Sequence, residues 1–301
     1  MDENEKFYAR KEFALKVLQL KGNAYEDFFV KIMKYHCDEF ESVKPWGNLG
    51  DRKNDGFIKS KGIYYQVYAP ENPSTKISDA IDKLKEDFKG LLDFWQSKYP
   101  IKEFYFVFND HSTNPKLETE LSSLATQHQS IKFDVLLPHQ LESIFINLTK
   151  SQIQILIGGI PSPDELLKDI DYSLLPKIIK HILSLDFDDS EIKTKIIAPD
   201  FDDKIKFNNL NKSKHYLNNA YFQLSKIKEY FLENPDEKEL LKDKFVKLYK
   251  SSIELFPNDE EMQFHYILNQ SSPDNKACVK NAVIALMAIY FEACDIFKEP
   301  E

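Results

Sequence analysis

Residues 50–71, GDRKNDGFIKSKGIYYQVYAPE, constrain the fold of this chain more than any other stretch. Phe57 and Ile58 follow an Asn54-Asp55-Gly56 turn, and Ser60-Lys61-Gly62 makes a second turn. Residues 63–68 are then a run of aromatic and β-branched side chains of the kind that suits a pleated, buried surface. The pattern predicts a hairpin with Asp55 at the head of one arm and Gln66 in the middle of the other. An acid facing an amide across two strands offers oxygen ligands to a hard divalent cation, and Mg²⁺ takes few protein oxygens beside its waters and phosphate. One more carboxylate would complete such a site. Glu26 is the candidate, because Gly22-Asn23-Ala24 reads as a helix start and Tyr25, Phe28, Phe29, Ile32 and Met33 give the following segment an apolar face at helical spacing. The same residues have a plainer reading, with Asp55 a turn residue beside Gly56 and Gln66 a satisfied polar group on an edge strand.

A Glu on a helix, an Asp at the start of a hairpin and Gln-x-Lys or Glu-x-Lys on the next strand form a known pattern. With Glu26, Asp55 and Gln66 in those places, the segment resembles the PD-(D/E)xK restriction-endonuclease-like superfamily. The resemblance implies an α/β fold, a restriction-endonuclease-like mixed sheet flanked by helices. It also implies Mg²⁺, with Mn²⁺ as a substitute, held by Glu26, Asp55 and Gln66 for hydrolysis of phosphodiesters in double-stranded DNA. The chain departs from the pattern at Tyr68, which stands where the family has lysine. A neutral phenol, with a pKa of about 10, does not supply a fixed positive charge to an attacking water and a developing phosphorane. Lys53, Lys76, Lys83, Lys85 and Lys89 are the places from which a lysine could reach the site instead, and Glu71 is a further candidate for the metal shell.

The rest of the N-terminal half alternates. Residues 8–20 and 24–40 read as two helices broken at Gly22, and a loop containing Trp46 leads to the hairpin. After Pro70 and Pro73, a helix to about residue 99 carries Ile77, Ile81, Leu84, Phe88, Leu91, Leu92 and Trp95 as its buried stripe. Residues 103–108 are a strand apolar enough to be covered on both faces and end at His111, which reads more simply as a solvated loop residue than as a site residue. A helix over 115–127, a strand over 131–136 and helices over 138–149 and part of 151–157 follow. Gly158-Gly159 then breaks the chain without the surroundings of a phosphate loop. This places a nuclease-like domain at 1–158, a helical linker at 159–198, where the acidic run 186–189 reads as solvated charge, and an all-α C-terminal domain at 199–301. Helices are predicted there over 218–232, 240–256 and 277–297. The last is apolar nearly all round and must be buried, inside its domain or against another chain.

Composition narrows the function. The 301 residues carry a formal charge of -9, which argues against coating nucleic acid by charge alone and in favour of a subunit in a complex. Three scattered cysteines, Cys37, Cys278 and Cys294, make neither a disulfide framework nor a zinc site and read as thiols of a reducing compartment. With a charged N-terminal stretch and no apolar run of membrane-spanning length, a cytoplasmic protein is expected.

The C-terminal region carries a second resemblance. Residues 199–208, PDFDDKIKFN, and the ending 290–300, YFEACDIFKEP, are similar to the C-terminal domain of the ABC-three-component systems, bacterial genome-defence modules of the Lamassu type. That resemblance implies an effector subunit of an antiphage complex, with an SMC-like ATPase and a small third subunit as partners, and self-association as a possible control. The alternative is a catalytically degenerate nuclease-fold scaffold that docks the ATPase, and a further option is a nuclease-fold protein acting on RNA or a nucleotide. His265 and Cys294 read as packing residues.

Overall fold

The computed structural model describes residues 1–43, 53–167, 171–187 and 201–299. Trp46, Asp188, Asp189 and the first two residues of the PDFDDKIKFN segment lie outside them. The chain forms two compact units, Phe13–Leu156 and Met1–Glu12 together with Ile157–Glu301. Helix α1 (Glu3–Gln19) is shared, so its first residues belong with the C-terminal unit rather than with the sheet.

The first unit continues through α2 (Asn23–His36), β1 (Phe40–Glu41), β2 (Gly56–Ile58), β3 (Ile63–Tyr68), α3 (Ile77–Trp95), β4 (Glu103–Phe108), α4 (Pro115–Gln127), β5 (Lys132–Leu136), α5 (Pro138–Phe145) and α6 (Lys150–Ile157). The strands make one mixed sheet in the order β1-β2-β3-β4-β5, antiparallel from β1 to β3 and parallel from β3 to β5. The expected α/β unit with a mixed sheet is therefore present. Helix α2 stops short of residue 40, because Cys37 turns extended and Phe40 pairs with Ile58 as an edge strand. The Phe40 ring lies so close over Gly56 that a Cβ there would stand 2.2 Å from it, which only glycine avoids.

Parallel pairing sets the faces of the sheet. Tyr64, Gln66 and Tyr68 pair with Phe104, Phe106 and Phe108, and this face packs with Phe57 against Ala80, Leu84, Phe88 and Leu91 of α3. On the other face Tyr65 meets Phe29 of α2 at 5.6 Å, Phe40 at 5.8 Å and Tyr105 at 5.3 Å. Helix α3 runs antiparallel to β3. Ile77, at its start, joins the core with Tyr68, while Trp95, at its end, lies against Phe57 and Tyr64.

The second unit is helical throughout its described residues: α7 (Pro163–Leu166), α8 (Leu175–Leu183), α9 (Phe201–Phe207), α10 (Lys214–Tyr221), α11 (Leu224–Glu233), α12 (Pro235–Leu255), α13 (Glu260–Ser271) and α14 (Ala277–Glu292). The helix expected over 218–232 is two helices that meet at Phe222-Gln223. Helices α9 and α13 were not legible, and α13 buries Gln263 and His265, whose polarity hides the apolar period. Helix α14 is buried continuously from Val279 to Phe291 among α10, α11, α12 and α13. Its apolar sequence is thus answered inside its own unit, without a second chain. Among the described residues no helix is long and apolar enough to cross a membrane.

Two buried polar clusters, around Lys204 and around Glu12, hold this unit. The Lys204 ammonium donates to the carbonyls of Phe291 and Ile296, both at 2.8 Å, capping the end of α14, and Asn208 bonds the backbone of Lys298 in both directions. Burial pulls the Lys204 pKa below 10.5. Glu12, 1% exposed, accepts from Lys280 at 3.2 Å and Asn269 at 3.1 Å, with His265 Nδ1 3.7 Å from its other oxygen. Burial alone would raise the Glu12 carboxyl, but His265 and Lys280 outweigh it and hold the pKa below 4.5.

Lys204→Met removes both capping bonds and is expected to destabilise the C-terminal unit by about 1.5–3 kcal/mol in chemical denaturation. Glu12→Gln leaves Lys280 buried without a counter-charge, for an expected loss of about 3–5 kcal/mol. Because the folded Glu12 pKa is depressed, its contribution is present above pH 4.5 and is lost as pH falls through the folded value. Thermal melts from pH 6 down to about pH 3 should show that loss in the native protein and a flatter profile in the Gln variant.

Candidate active site

The hairpin brings Asp55 and Gln66 together. Gly56 pairs with Tyr65, and the Asp55 N–H donates to the Tyr65 carbonyl at 3.2 Å, which holds Asp55 beside β3 at the head of β2. The Val67 N–H donates to Asp55 Oδ2 at 2.6 Å, which ties the carboxylate to the neighbouring strand. Asp55 is 3% exposed and Gln66 4%. β3 is the middle strand of the sheet, and Gln66 Oε1 is buried without a hydrogen-bond partner, so the reading of Gln66 as a satisfied edge-strand amide does not hold. Asn54, fully buried, leaves both its Oδ1 and its Nδ2 without partners. Such atoms call for a partner from outside the chain, a ligand, an ion or an ordered water.

Glu26 arrives differently. It lies half-buried in the first turn of α2, whose Phe29 packs on the Tyr65 face, opposite to Gln66. The helix starts where the Gly22 N–H donates to the Ala69 carbonyl at 2.7 Å, one residue beyond β3. Glu26 therefore approaches from the other face, at the carboxyl end of the strand.

The lysine candidates divide. Lys53, held at a left-handed φ of 61°, places its ammonium 2.7 Å from Glu86 and 2.9 Å from Asp87 on α3. The bond from Glu86, with Asp87 assisting against burial, pushes its pKa well above 10.5, so it stays charged. Lys83 pairs with the same Asp87 at 2.8 Å. Asp87 is fully buried, midway along α3. Lys85 turns away to Glu120 of α4, at 3.0 Å, and lines a cleft there with Lys89, while Lys76 pairs at the surface with Asp79. Tyr68, at the position of the family lysine, stacks on Phe106 and Phe108, and burial raises its hydroxyl pKa. Glu71 is exposed past the strand end.

Among the described residues no group of three His, Cys, Asp or Glu side chains could hold a metal. An ion at the hairpin would draw on the carboxylate of Asp55, the orphan amide oxygen of Gln66 and Glu26 across the strand end. The unpartnered Gln66 oxygen beside a fixed carboxylate fits a hydrated divalent cation. Sequence reasoning missed Asn54 and Asp87. The signal for Asp87 was an acid on the buried stripe of an amphipathic helix, between Leu84 and Phe88.

Residues 173–298 match the family model of C-terminal domain 10 of the ABC-three component (ABC-3C) systems. The matched region runs from the start of α8 past α14, so the C-terminal helical unit carries a domain of those systems, in agreement with the second resemblance. The bonds from Lys204 and Asn208 join the two segments that carried it. No curated protein and no solved structure matches the chain.

A buried amide oxygen without a partner is a stability cost that a ligand site tolerates. Gln66→Met, which removes that oxygen at similar volume, is expected to raise the stability of the sheet unit by about 1 kcal/mol in urea unfolding. A loss of stability instead would mark Gln66 as a structural residue.

Proposed function

We propose that the chain is the effector subunit of an ABC-three-component antiphage complex and a metal-dependent DNA endonuclease. The observation that carries this reading is the bond from the Val67 N–H to the Asp55 carboxylate, next along β3 to Gln66, whose amide oxygen is buried and unpartnered. Asp55 and Gln66 would hold the Mg²⁺ or Mn²⁺, which when bound supplies an activated water and charge stabilisation at phosphorus, while Glu26, on the Tyr65 side, would reach it only past the strand end. Asp55 is oriented by the Val67 N–H, and Gln66 is fixed by its central strand. Lys53 and Lys83, on the α3 side of the hairpin, are the cations available to offset phosphate charge in place of the missing lysine. The helical unit would dock the chain to an SMC-like ATPase and a small third subunit, which would deliver double-stranded DNA to a chain whose own net charge is -9.

Purified protein, alone and reconstituted with its neighbouring subunits, should nick plasmid DNA in the presence of Mg²⁺ or Mn²⁺. Asp55→Ala should lower the rate by about a hundredfold or more, and Lys53→Ala by about tenfold. A second reading, a degenerate scaffold, is favoured by one observation: Tyr68 is built into the aromatic stack, and Asp87 and Glu86 hold Lys53. Intact plasmid in every reconstitution, with assembly undisturbed by Asp55→Ala, selects the scaffold.

A further inference from the structure

A second concave site lies in the sheet unit, beyond the carboxyl ends of the parallel strands β3 and β4, the place where ligands bind in open α/β sheets. The cleft has a volume of about 350 Å³, at the small end of small-ligand sites, with Val17 and Leu18 of α1 as an apolar wall. The chain leaving β4 lines it with Asn109, Asp110 and His111.

Asn109 is 3% exposed, and its Nδ2 donates to the Pro70 carbonyl at 3.1 Å. Since a carbonyl only accepts, that bond fixes the orientation of the amide, and the atom left buried without a partner is the acceptor Oδ1. Asp110, 8% exposed, sets a carboxylate next to it. Across the cleft, Lys21 is half-buried and makes no ion pair among the described residues, and burial lowers its pKa from 10.5. The cleft is thus lined by one cation without an ion pair among the described residues and by acceptors on two successive residues, the orphan Asn109 Oδ1 and the Asp110 carboxylate. A bare anion would satisfy Lys21 but would meet Asp110 and Glu71. A purely cationic ligand would leave Lys21 opposed.

We propose that this cleft binds a nucleotide, with the phosphate on Lys21, the donor edge of an amino-bearing base on Asn109 Oδ1 and Asp110, and the base against Leu18. Guanine is the best match, since it presents two adjacent N–H donors, whereas thymine has one donor flanked by acceptors. The nucleotide is either free or one residue of a strand, and the inference does not depend on cleavage at Asp55.

Calorimetric titration of the full-length protein with dGMP, dTMP, inorganic phosphate and a short G-containing single strand tests it. Saturable binding at one site per chain is expected for dGMP or the strand, with dGMP about tenfold tighter than dTMP. Lys21→Ala and Asp110→Asn, each confirmed as folded by an unchanged melting temperature, should each weaken it about tenfold. Binding of the strand without dGMP assigns the site to a nucleic-acid residue, and the reverse assigns it to a free nucleotide. No saturable binding of either, equal affinity for phosphate and dGMP, or indifference to both substitutions overturns the proposal.

Discussion

The bond from the Val67 N–H to the Asp55 carboxylate fixes the part of this molecule on which its chemistry turns. Where β2 begins, the carboxylate takes the place of a backbone acceptor, so the acid is held to β3 by the strand itself rather than by a flexible side-chain contact. Register does the rest. In a sheet with a side-chain period of two, a slip of one residue would turn Phe57 away from the core face that it shares with Tyr64. Gly56 guards the register, because the Phe40 ring leaves no room for any other residue beside Asp55.

Around that bond the α3 face is divided. Towards Trp95 it is aromatic and dry, with Phe57, Tyr64 and Phe104 packed together. On the same face the sheet offers the buried Gln66 and the helix the buried Asp87, with Lys53 and Lys83 reaching in to Asp87. A helix that buries an acid and draws two lysines onto it gives up packing for charge, and surrounding structure must offset the loss. The stacked rings of Tyr68, Phe106 and Phe108 bound this polar island on the far side. They also explain why position 68 has no room for a mobile cation: its side chain is part of the core.

The helical unit answers a different constraint, the need to cover a helix with no polar face. Helix α14 is enclosed by its neighbours, and its end is closed by a lysine about ninety residues away in sequence, with Asn208 adding a second clasp to the terminal segment. The Asp-Asp-Lys segment and the Phe-Glu-Ala-Cys-Asp-Ile-Phe ending are informative together because they are two halves of one contact. Glu12 adds the N-terminus to the same unit through a buried cluster with Lys280, His265 and Asn269.

The sequence by itself determined the hairpin, the alternation of strands and helices, and the burial of residues 282–291, because apolar periodicity and turn chemistry are local and survive in one dimension. It did not reveal that Glu26 approaches from the other face, that Lys85 is turned to α4 while Lys53 is drawn to α3, or that Asn54, Asp87 and Asn109 are buried polar groups. Those depend on which helix covers which face, and on partners distant along the chain. The same holds for Lys204 and Glu12, whose charges look solvated in sequence and are buried only because tertiary packing brings carbonyls and counter-charges to meet them.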